Sequence, residues 1–292
     1  MWYPYLGRIF YGERGYQMGI LDSASAFFQT NGRDIDQARF AYHFQGGSQE
    51  DLLTALAHYQ NPDGGFFGLE VDIKAPVSNP FATELALTIC QQAGVLRHHP
   101  ALQATVRYLE STQAADGTWR FAPEVYEHAL APWFQGWEWP NLNPACSLVG
   151  LLKMMGLGSD ALHAGVEHAF TQFARPQDVA EGEFYAVRPY ATYFLPEWQH
   201  PQREFYLAGV LWWIVRQELK QTFDDSDHFF AYVRDPQTYT ARLLPPTMIA
   251  ARLDQLAADQ AEDGGWPSPY DAGWRGWTTM QALLVLRAFG RV

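Results

Sequence analysis

The chain has 292 residues, of which 48% are hydrophobic and 15% aromatic, and its formal net charge at pH 7 is -12. This hydrophobic share is typical of a globular protein and excludes a disordered one. The acidic balance argues against nucleic acid or anionic lipid as a partner, because phosphate groups repel a negatively charged surface.

The first residues of the chain, its short apolar stretches and its cysteines indicate a cytoplasmic protein. Residues 1–5 lack a basic segment followed by an apolar one, so we expect no secretory signal peptide. Apolar stretches such as residues 283–286 are too short to span a bilayer. Cys90 and Cys146 lie in apolar helical segments and are too few for a disulfide framework, which suggests a reducing compartment.

A turn motif, Gln-x-x-Asp-Gly-x-[Phe/Trp], occurs at residues 60–66, 113–119 and 260–266, and a degenerate copy lies at 177–184. The copies are separated by about 50 residues or a multiple of that distance, which is the signature of a helical repeat. Aspartate suits a turn and glycine permits a positive φ, so we interpret the motif residues as structural.

Each motif separates two kinds of predicted helix. The preceding segments, at 49–60, 100–113 and 246–260, are amphipathic, and the following ones, around 82–87, 146–151 and 278–283, are more uniformly apolar. The apolar helices align on a hydroxyl, a small residue and a glycine stop: Thr83, Ala86 and Gly94; Ser147, Gly150 and Gly158; Thr279, Ala282 and Gly290.

One hairpin cannot cover its own apolar helix, so neighbouring hairpins are expected to pack side by side. The sequence therefore predicts a single all-α domain over residues 1–292, with the clearest repeats from about residue 49. Its predicted architecture is an α/α toroid, a closed ring of about five or six hairpins with the apolar helices inside.

The motif resembles the repeat of squalene and oxidosqualene cyclases, and protein prenyltransferase β-subunits share the toroid. Residues 65–72, with Pro76 and Ser78, are also similar to a small bacterial prenyltransferase-like group. The resemblance implies a hydrophobic, isoprenoid-like ligand in an aromatic central cavity.

The catalytic motifs of these families are not matched in the chain. No Asp-x-Asp-Asp run occurs, and in the nearest approach to Asp-Asp-x-x-Asp, residues 224–228, the last acid is displaced by one position. Thr88 and Pro144 stand where an aspartate would precede a zinc-binding cysteine, and the histidines lack metal-ligand spacing. We therefore predict no metal and no cofactor, and leave open whether the protein is an enzyme.

The candidate site lies in the connections between each motif and its apolar helix. The candidate catalytic acids are Glu70, Asp72 and Asp271, and the pKa of one of them is expected to be raised if they share an apolar mouth. The candidate ligand-binding aromatics are Trp137, Trp139, Tyr270, Trp274 and Trp277.

Three alternatives to an isoprenoid-binding site remain open. Aromatic platforms with paired carboxylates equally suit a carbohydrate-active (α/α)-barrel enzyme. The chain could also be a non-catalytic binding or scaffold protein that has lost the catalytic acid. The third alternative is that Asp72 and Asp271 merely cap helices or pair with Lys74 and Arg275. A further aromatic surface, a lid or a lost repeat, is expected at Tyr190, Tyr193, Phe194 and Trp198.

Overall fold

The computed structural model describes residues 13–194, 199–220, 223, 226–268 and 270–292, without the side chains of residues 13–18, 226 and 227. Within these residues it has fifteen α-helices and no β-strand, which confirms the all-α class. The helices are α1 (Glu13–Asn31), α2 (Asp34–Phe44), α3 (Gln49–Ala57), α4 (Pro80–Gln92), α5 (Pro100–Thr112), α6 (Pro132–Gln135), α7 (Leu142–Met155), α8 (Asp160–Phe173), α9 (Pro176–Glu181), α10 (Phe184–Tyr193), α11 (Arg203–Lys220), α12 (Ser226–Tyr232), α13 (Tyr239–Leu243), α14 (Pro246–Ala258) and α15 (Arg275–Ala288).

The repeat helices are of two kinds, as the sequence predicts. The amphipathic helix α3 buries one face, formed by Leu52, Ala55 and Leu56. In α4 nearly every side chain is buried, and in α7 the burial is continuous over residues 142–152. Burying an apolar helix on all sides requires neighbours on all sides, so these helices form the interior of the protein.

Helix ends follow the local sequence, with one correction. The Asn79 side chain caps α4 by accepting from Ala82 N at 2.9 Å, with Pro80 in the first turn, and Gly94 terminates the helix at φ 65°. The predicted stop of α7 at Gly158 is wrong, because the helix ends at Met155 and Gly156 takes the left-handed conformation.

Each complete turn motif forms hydrogen bonds both within its own turn and to a neighbouring helix. In the first copy, Asp63 Oδ1 accepts from Gly65 N at 2.9 Å, and Gly64 has φ 93°. The side chain of Gln60 closes the same turn through Gly64 O at 3.0 Å and also donates to Ala101 O of α5 at 3.1 Å. The motif glutamine therefore links its own turn, at the end of α3, to the next amphipathic helix, α5.

The other two complete copies repeat this contact. Gln113 Nε2 donates to Leu162 O of α8 at 3.1 Å. Gln260 Nε2, in the last hairpin, donates to Ile20 O of α1 at 3.0 Å. The contact that links each of these amphipathic helices to the next thus also links the last turn motif to the N-terminal helix α1.

The buried helices contact one another in sequence order. Helix α4 packs on α7, α7 on α10, α10 on α12, α12 on α15, and α15 on α2. Helices α2 and α4 are linked where Tyr42 Oη donates to Ala93 O at 2.8 Å and Arg39 Nη2 donates to Gln92 Oε1 at 3.2 Å.

Two of the three aligned hydroxyls have the same structural role. Thr83 and Thr279 accept the backbone N–H of the motif aromatic, from Phe66 at 3.2 Å and from Trp266 at 2.9 Å. Ser147 differs, because its hydroxyl lies 2.8 Å from that of Thr192 on α10.

The degenerate copy forms the short helix α9 and the start of α10. Its Gly182 has φ -66°, outside the left-handed region that the complete copies use. The expectation of an exposed aromatic surface here is wrong for Tyr190, Tyr193 and Phe194, whose side chains are buried against one another and around Phe170. Trp198 lies outside the described residues.

The structure also describes the two cysteines and the lengths of the apolar helices. Cys90 and Cys146 are both buried and free. No helix in the described part of the chain is both long enough and apolar enough to cross a membrane.

Candidate functional site

A cavity of about 670 Å³ lies among the buried helices. Its wall includes Leu85 of α4, Ser147 of α7, Arg188 of α10, Phe230 of α12 and Gln281 of α15. The connections that follow the turn motifs complete the wall, so two of the predicted acids and four of the predicted aromatics reach it. A cavity of this volume falls in the range of small-molecule sites.

Glu70 is a buried carboxyl in the wall of this cavity, only 7% exposed. Its Oε1 accepts from Asp72 N at 3.1 Å. The pKa of Glu70 is raised to about 8, mainly by burial. The Asp72 backbone N–H and the Arg188 charge oppose the rise, and the charges of Asp72 and Glu84 contribute to it. Glu70 is therefore mostly protonated at neutral pH, as a general acid requires.

Asp72 is a second cavity-lining carboxyl, partly buried beside Glu70. Its Oδ2 accepts from Trp274 Nε1 at 2.9 Å. Burial raises the pKa of Asp72. The hydrogen bond from Trp274 opposes this rise, and the charge of Asp271 adds a smaller increase. Two carboxyl groups with different environments thus share one edge of the cavity.

Asp271 is close enough to act electrostatically on Asp72, yet its own surroundings differ. It is exposed and caps the short 3₁₀ turn Ala272–Trp274, where its Oδ1 accepts from Gly273 N at 2.7 Å. The helix-cap alternative therefore describes Asp271 better than it describes Asp72. Arg275 pairs with Asp263 instead of Asp271. Lys74 donates to the backbone oxygen of Val71, although its charge still lowers the pKa of Asp72 slightly.

Four of the five predicted aromatic residues line the cavity: Trp137, Tyr270, Trp274 and Trp277. Trp139 lies beside the cavity in a separate aromatic cluster, with its ring centroid 5.3 Å from that of Phe121. Its Nε1 donates to Tyr126 Oη at 3.2 Å. Trp139 therefore supports the wall from behind.

Sequence reasoning missed an ion pair inside the cavity. Glu84 of α4 accepts two hydrogen bonds from the guanidinium of Arg188 on α10, which also donates to Asn143 Oδ1 at 3.1 Å. The available signal was Glu84 itself, since a charged residue within a uniformly apolar helix needs a buried partner. Its partner lies 104 positions later in the chain, so only the tertiary structure identifies it.

A polar and aromatic group at one side of the cavity was also missed. Tyr185 Oη donates to Tyr270 Oη at 3.1 Å, and His228 Nε2 lies 3.0 Å from the same oxygen. The ring of Trp133 meets that of Tyr270 edge-on, at a centroid distance of 5.9 Å. These side chains come from four different segments that packing brings together.

The carboxyl groups of the acidic run at residues 224–227 lie outside the part of the chain that the structure describes. Asp224 and Asp225 lie outside the described residues, as does the side chain of Asp227. Among the side chains that the structure describes, no group of three or more histidine, cysteine, aspartate or glutamate residues could hold a metal ion.

The raised pKa of Glu70 predicts a pH-dependent stability. Between its ordinary pKa of 4.5 and about 8, the folded protein keeps a proton that the unfolded chain has lost. The free energy of unfolding contributed by Glu70 therefore falls as pH rises through this window, by at most about 1.4 kcal/mol per pH unit. Glu70→Gln removes the titration and retains an acceptor for Asp72 N.

We expect the stability of Glu70→Gln relative to the parent protein to increase from pH 5 to pH 8, measured by urea denaturation at intermediate values. Glu262→Gln, at an exposed position, controls for the loss of one carboxyl from the chain. A difference between Glu70→Gln and the parent that does not change with pH would contradict the raised pKa.

Comparisons with protein-family models, with curated proteins and with solved structures found no match to this chain.

Proposed function

We propose that the protein is an α/α toroid of six hairpins that binds a small ligand in its central cavity and acts on it with Glu70 as the acid. The hairpins of this proposed ring are α1–α2, α3–α4, α5–α7, α8–α10, α11–α12 and α14–α15. The contact of Gln260 with Ile20, equivalent to the contacts between consecutive hairpins, supports the closure of the ring.

The observation that carries the functional proposal is the buried Glu70, with its pKa raised to about 8, beside Asp72 in an aromatic cavity. A carboxyl that keeps its proton at pH 7 can donate it to a leaving group or to a ligand oxygen. Asp72, held by Trp274 Nε1, is the complementary carboxyl that accepts a proton or stabilises developing positive charge.

A hydroxylated, sugar-like ligand fits this wall best. Amide, hydroxyl and charged groups are spread around the cavity, among them Asn143, Thr88, Thr192, Gln92 and Gln281. Most of these groups are already hydrogen-bonded within the protein, but the buried Gln281 Nε2 has no partner among the described residues, and a hydrocarbon would leave it unsatisfied at about 1–3 kcal/mol. A hydroxyl group on the ligand would satisfy Gln281 Nε2 and could add bonds to its hydrogen-bonded neighbours, and the tryptophan faces would cover the apolar surface of the ligand.

An isoprenoid-like ligand is the second candidate, favoured by the apolar part of the same wall. Phe81, Leu85, Phe134 and Phe230 line the cavity, and Phe81 meets Trp137 edge-on at a centroid distance of 5.1 Å. Aromatic faces of this kind stabilise a carbocation as well as they cover a hydrocarbon.

Mass spectrometry of small molecules that copurify with the native protein distinguishes the two candidates, since a glycan and an isoprenoid differ in mass and fragmentation. The recovered compound is then titrated against Trp133→Ala, which removes an exposed ring of the cavity wall. We expect roughly a 2- to 10-fold loss of affinity, the scale of one aromatic contact.

Trp212→Ala, an exposed tryptophan on the outer helix α11, is the matched control and should leave affinity unchanged. If the ligand is also a substrate, Glu70→Gln should lower turnover by about 100-fold or more. Equal affinity of the Trp133→Ala and parent proteins would contradict binding in this cavity.

A further inference from the structure

Arg234 carries a positive charge in the cavity and has no carboxylate partner among the described residues. It follows α12 and lines the cavity, and its Nε donates to Ala231 O at 3.2 Å. Among the described residues, no carboxylate oxygen lies within 4.0 Å of its guanidinium. Since the Nε bond uses one of five N–H groups, most of the donors of Arg234 are available to a ligand.

One cation and two carboxylates act electrostatically on Arg234. The pKa of Arg234 is lowered to about 10, mainly by burial and to a smaller extent by the charge of Arg188, while the charges of Glu84 and Asp235 oppose the change. The carboxylate of Glu84 is hydrogen-bonded to Arg188, and Asp235 Oδ1 accepts from Gln237 N at 2.7 Å. Arg234 thus stays cationic at neutral pH. Among the described residues neither carboxylate forms an ion pair with it, so its charge is compensated only at a distance, which is costly in a partly desolvated position.

We infer that the cavity ligand carries a carboxylate and that the Arg234 guanidinium binds it. This inference rests on the proposed function and narrows its ligand to an acidic, sugar-like molecule of the uronic-acid class. The guanidinium is planar and matches a carboxylate with two parallel hydrogen bonds.

Charge balance favours a carboxylate over a phosphate or diphosphate. One guanidinium without an ion-pair partner offsets one negative charge, and the nearby carboxylates of Glu84 and Asp235 disfavour an anion that carries two or more. Glu70, also in the wall, does not repel the anion while it keeps its proton.

Calorimetric titration with glucuronate, glucose and glucose 6-phosphate tests the inference. We expect glucuronate to bind about 10-fold or more tighter than glucose, the scale of one hydrogen bond to a charged group. Arg234→Gln should reduce glucuronate binding to the level of glucose, and Arg234→Lys should retain part of the preference. Arg97→Gln, which removes the same charge from an exposed position, should change neither affinity.

The outcomes separate this inference from the proposed function. Equal binding of glucose and glucuronate would overturn the carboxylate and leave the sugar-like ligand in place. Tighter binding of glucose 6-phosphate would overturn the carboxylate in favour of a phosphate ester. If neither a sugar nor its acid binds, the sugar-like ligand itself is wrong, and the present inference fails with it.

Thermal unfolding without ligand separates a binding role from a structural one. A charge that the protein compensates poorly contributes little to folding, so Arg234→Gln should melt at or above the temperature of the parent protein. A lowered melting temperature together with reduced binding would assign Arg234 to the structure and overturn its assignment to the ligand.

Discussion

Replacing Gly264 with alanine is expected to destabilise the protein by about 3 kcal/mol or more, the sum of a backbone and a steric cost. Gly264 has φ 88°, which is unfavourable for any residue with a Cβ atom. A Cβ atom placed there would lie 1.9 Å from Ser23 O in the backbone of α1, and no rotamer can relieve that clash. The substitution therefore separates the last hairpin from the first helix.

Gly94→Ala is the matched control for this prediction. Gly94 also has a positive φ, 65°, but its Cβ position has no neighbour within 4 Å. We expect only the backbone cost there, about 1 kcal/mol. Urea denaturation of both variants isolates the steric term, and equal destabilisation would contradict close packing of the last turn motif on α1.

Replacing Glu84 with alanine is the second large effect, with an expected loss of roughly 3–5 kcal/mol. The Glu84 side chain is 5% exposed and that of Arg188 is 25% exposed, so water replaces the lost partner only in part. Removing the carboxylate leaves Arg188 and Arg234 as neighbouring cations inside the cavity. Their desolvation and mutual repulsion then act against the folded state.

A double variant, Glu84→Met with Arg188→Met, distinguishes the loss of a partner from the loss of the pair. It should be clearly more stable than Glu84→Ala, because it leaves no unpaired charge at the Arg188 position. Asp254→Ala provides a surface control, because the side chains of Asp254 and its partner Arg291 are 67% and 40% exposed, respectively. This exposed pair is expected to contribute at most about 1 kcal/mol to stability. Equal losses for Glu84→Ala and Asp254→Ala in urea denaturation would contradict a buried pair.

The sequence alone reveals part of the structural role of Gly264 and less of that of Glu84. The glycine of the turn motif is visible as a repeated letter, and a requirement for positive φ follows from the turn. The neighbour that it touches is not visible, because Ser23 and Gly264 approach only after the chain has folded. For Glu84 the sequence shows an unusual charge in an apolar helix and leaves its partner undefined.

The predicted site shows the same division. Glu70 and Asp72 could be selected because they follow a turn motif and precede an apolar helix, which places them near one end of the helix layer. Asp271 satisfies the same description and is nevertheless an exposed cap. Depth of burial decides between these acids, and it depends on how neighbouring segments cover each side chain.

By itself, the sequence determined the helical class, the two kinds of helix and the turns that join them, because periodicity, capping residues and glycine act over a few neighbouring positions. The tertiary structure alone decided which acid is buried, which arginine pairs with Glu84 and which remains available at Arg234. These properties depend on desolvation and on charges brought together from distant parts of the chain, and both arise only when the helices pack.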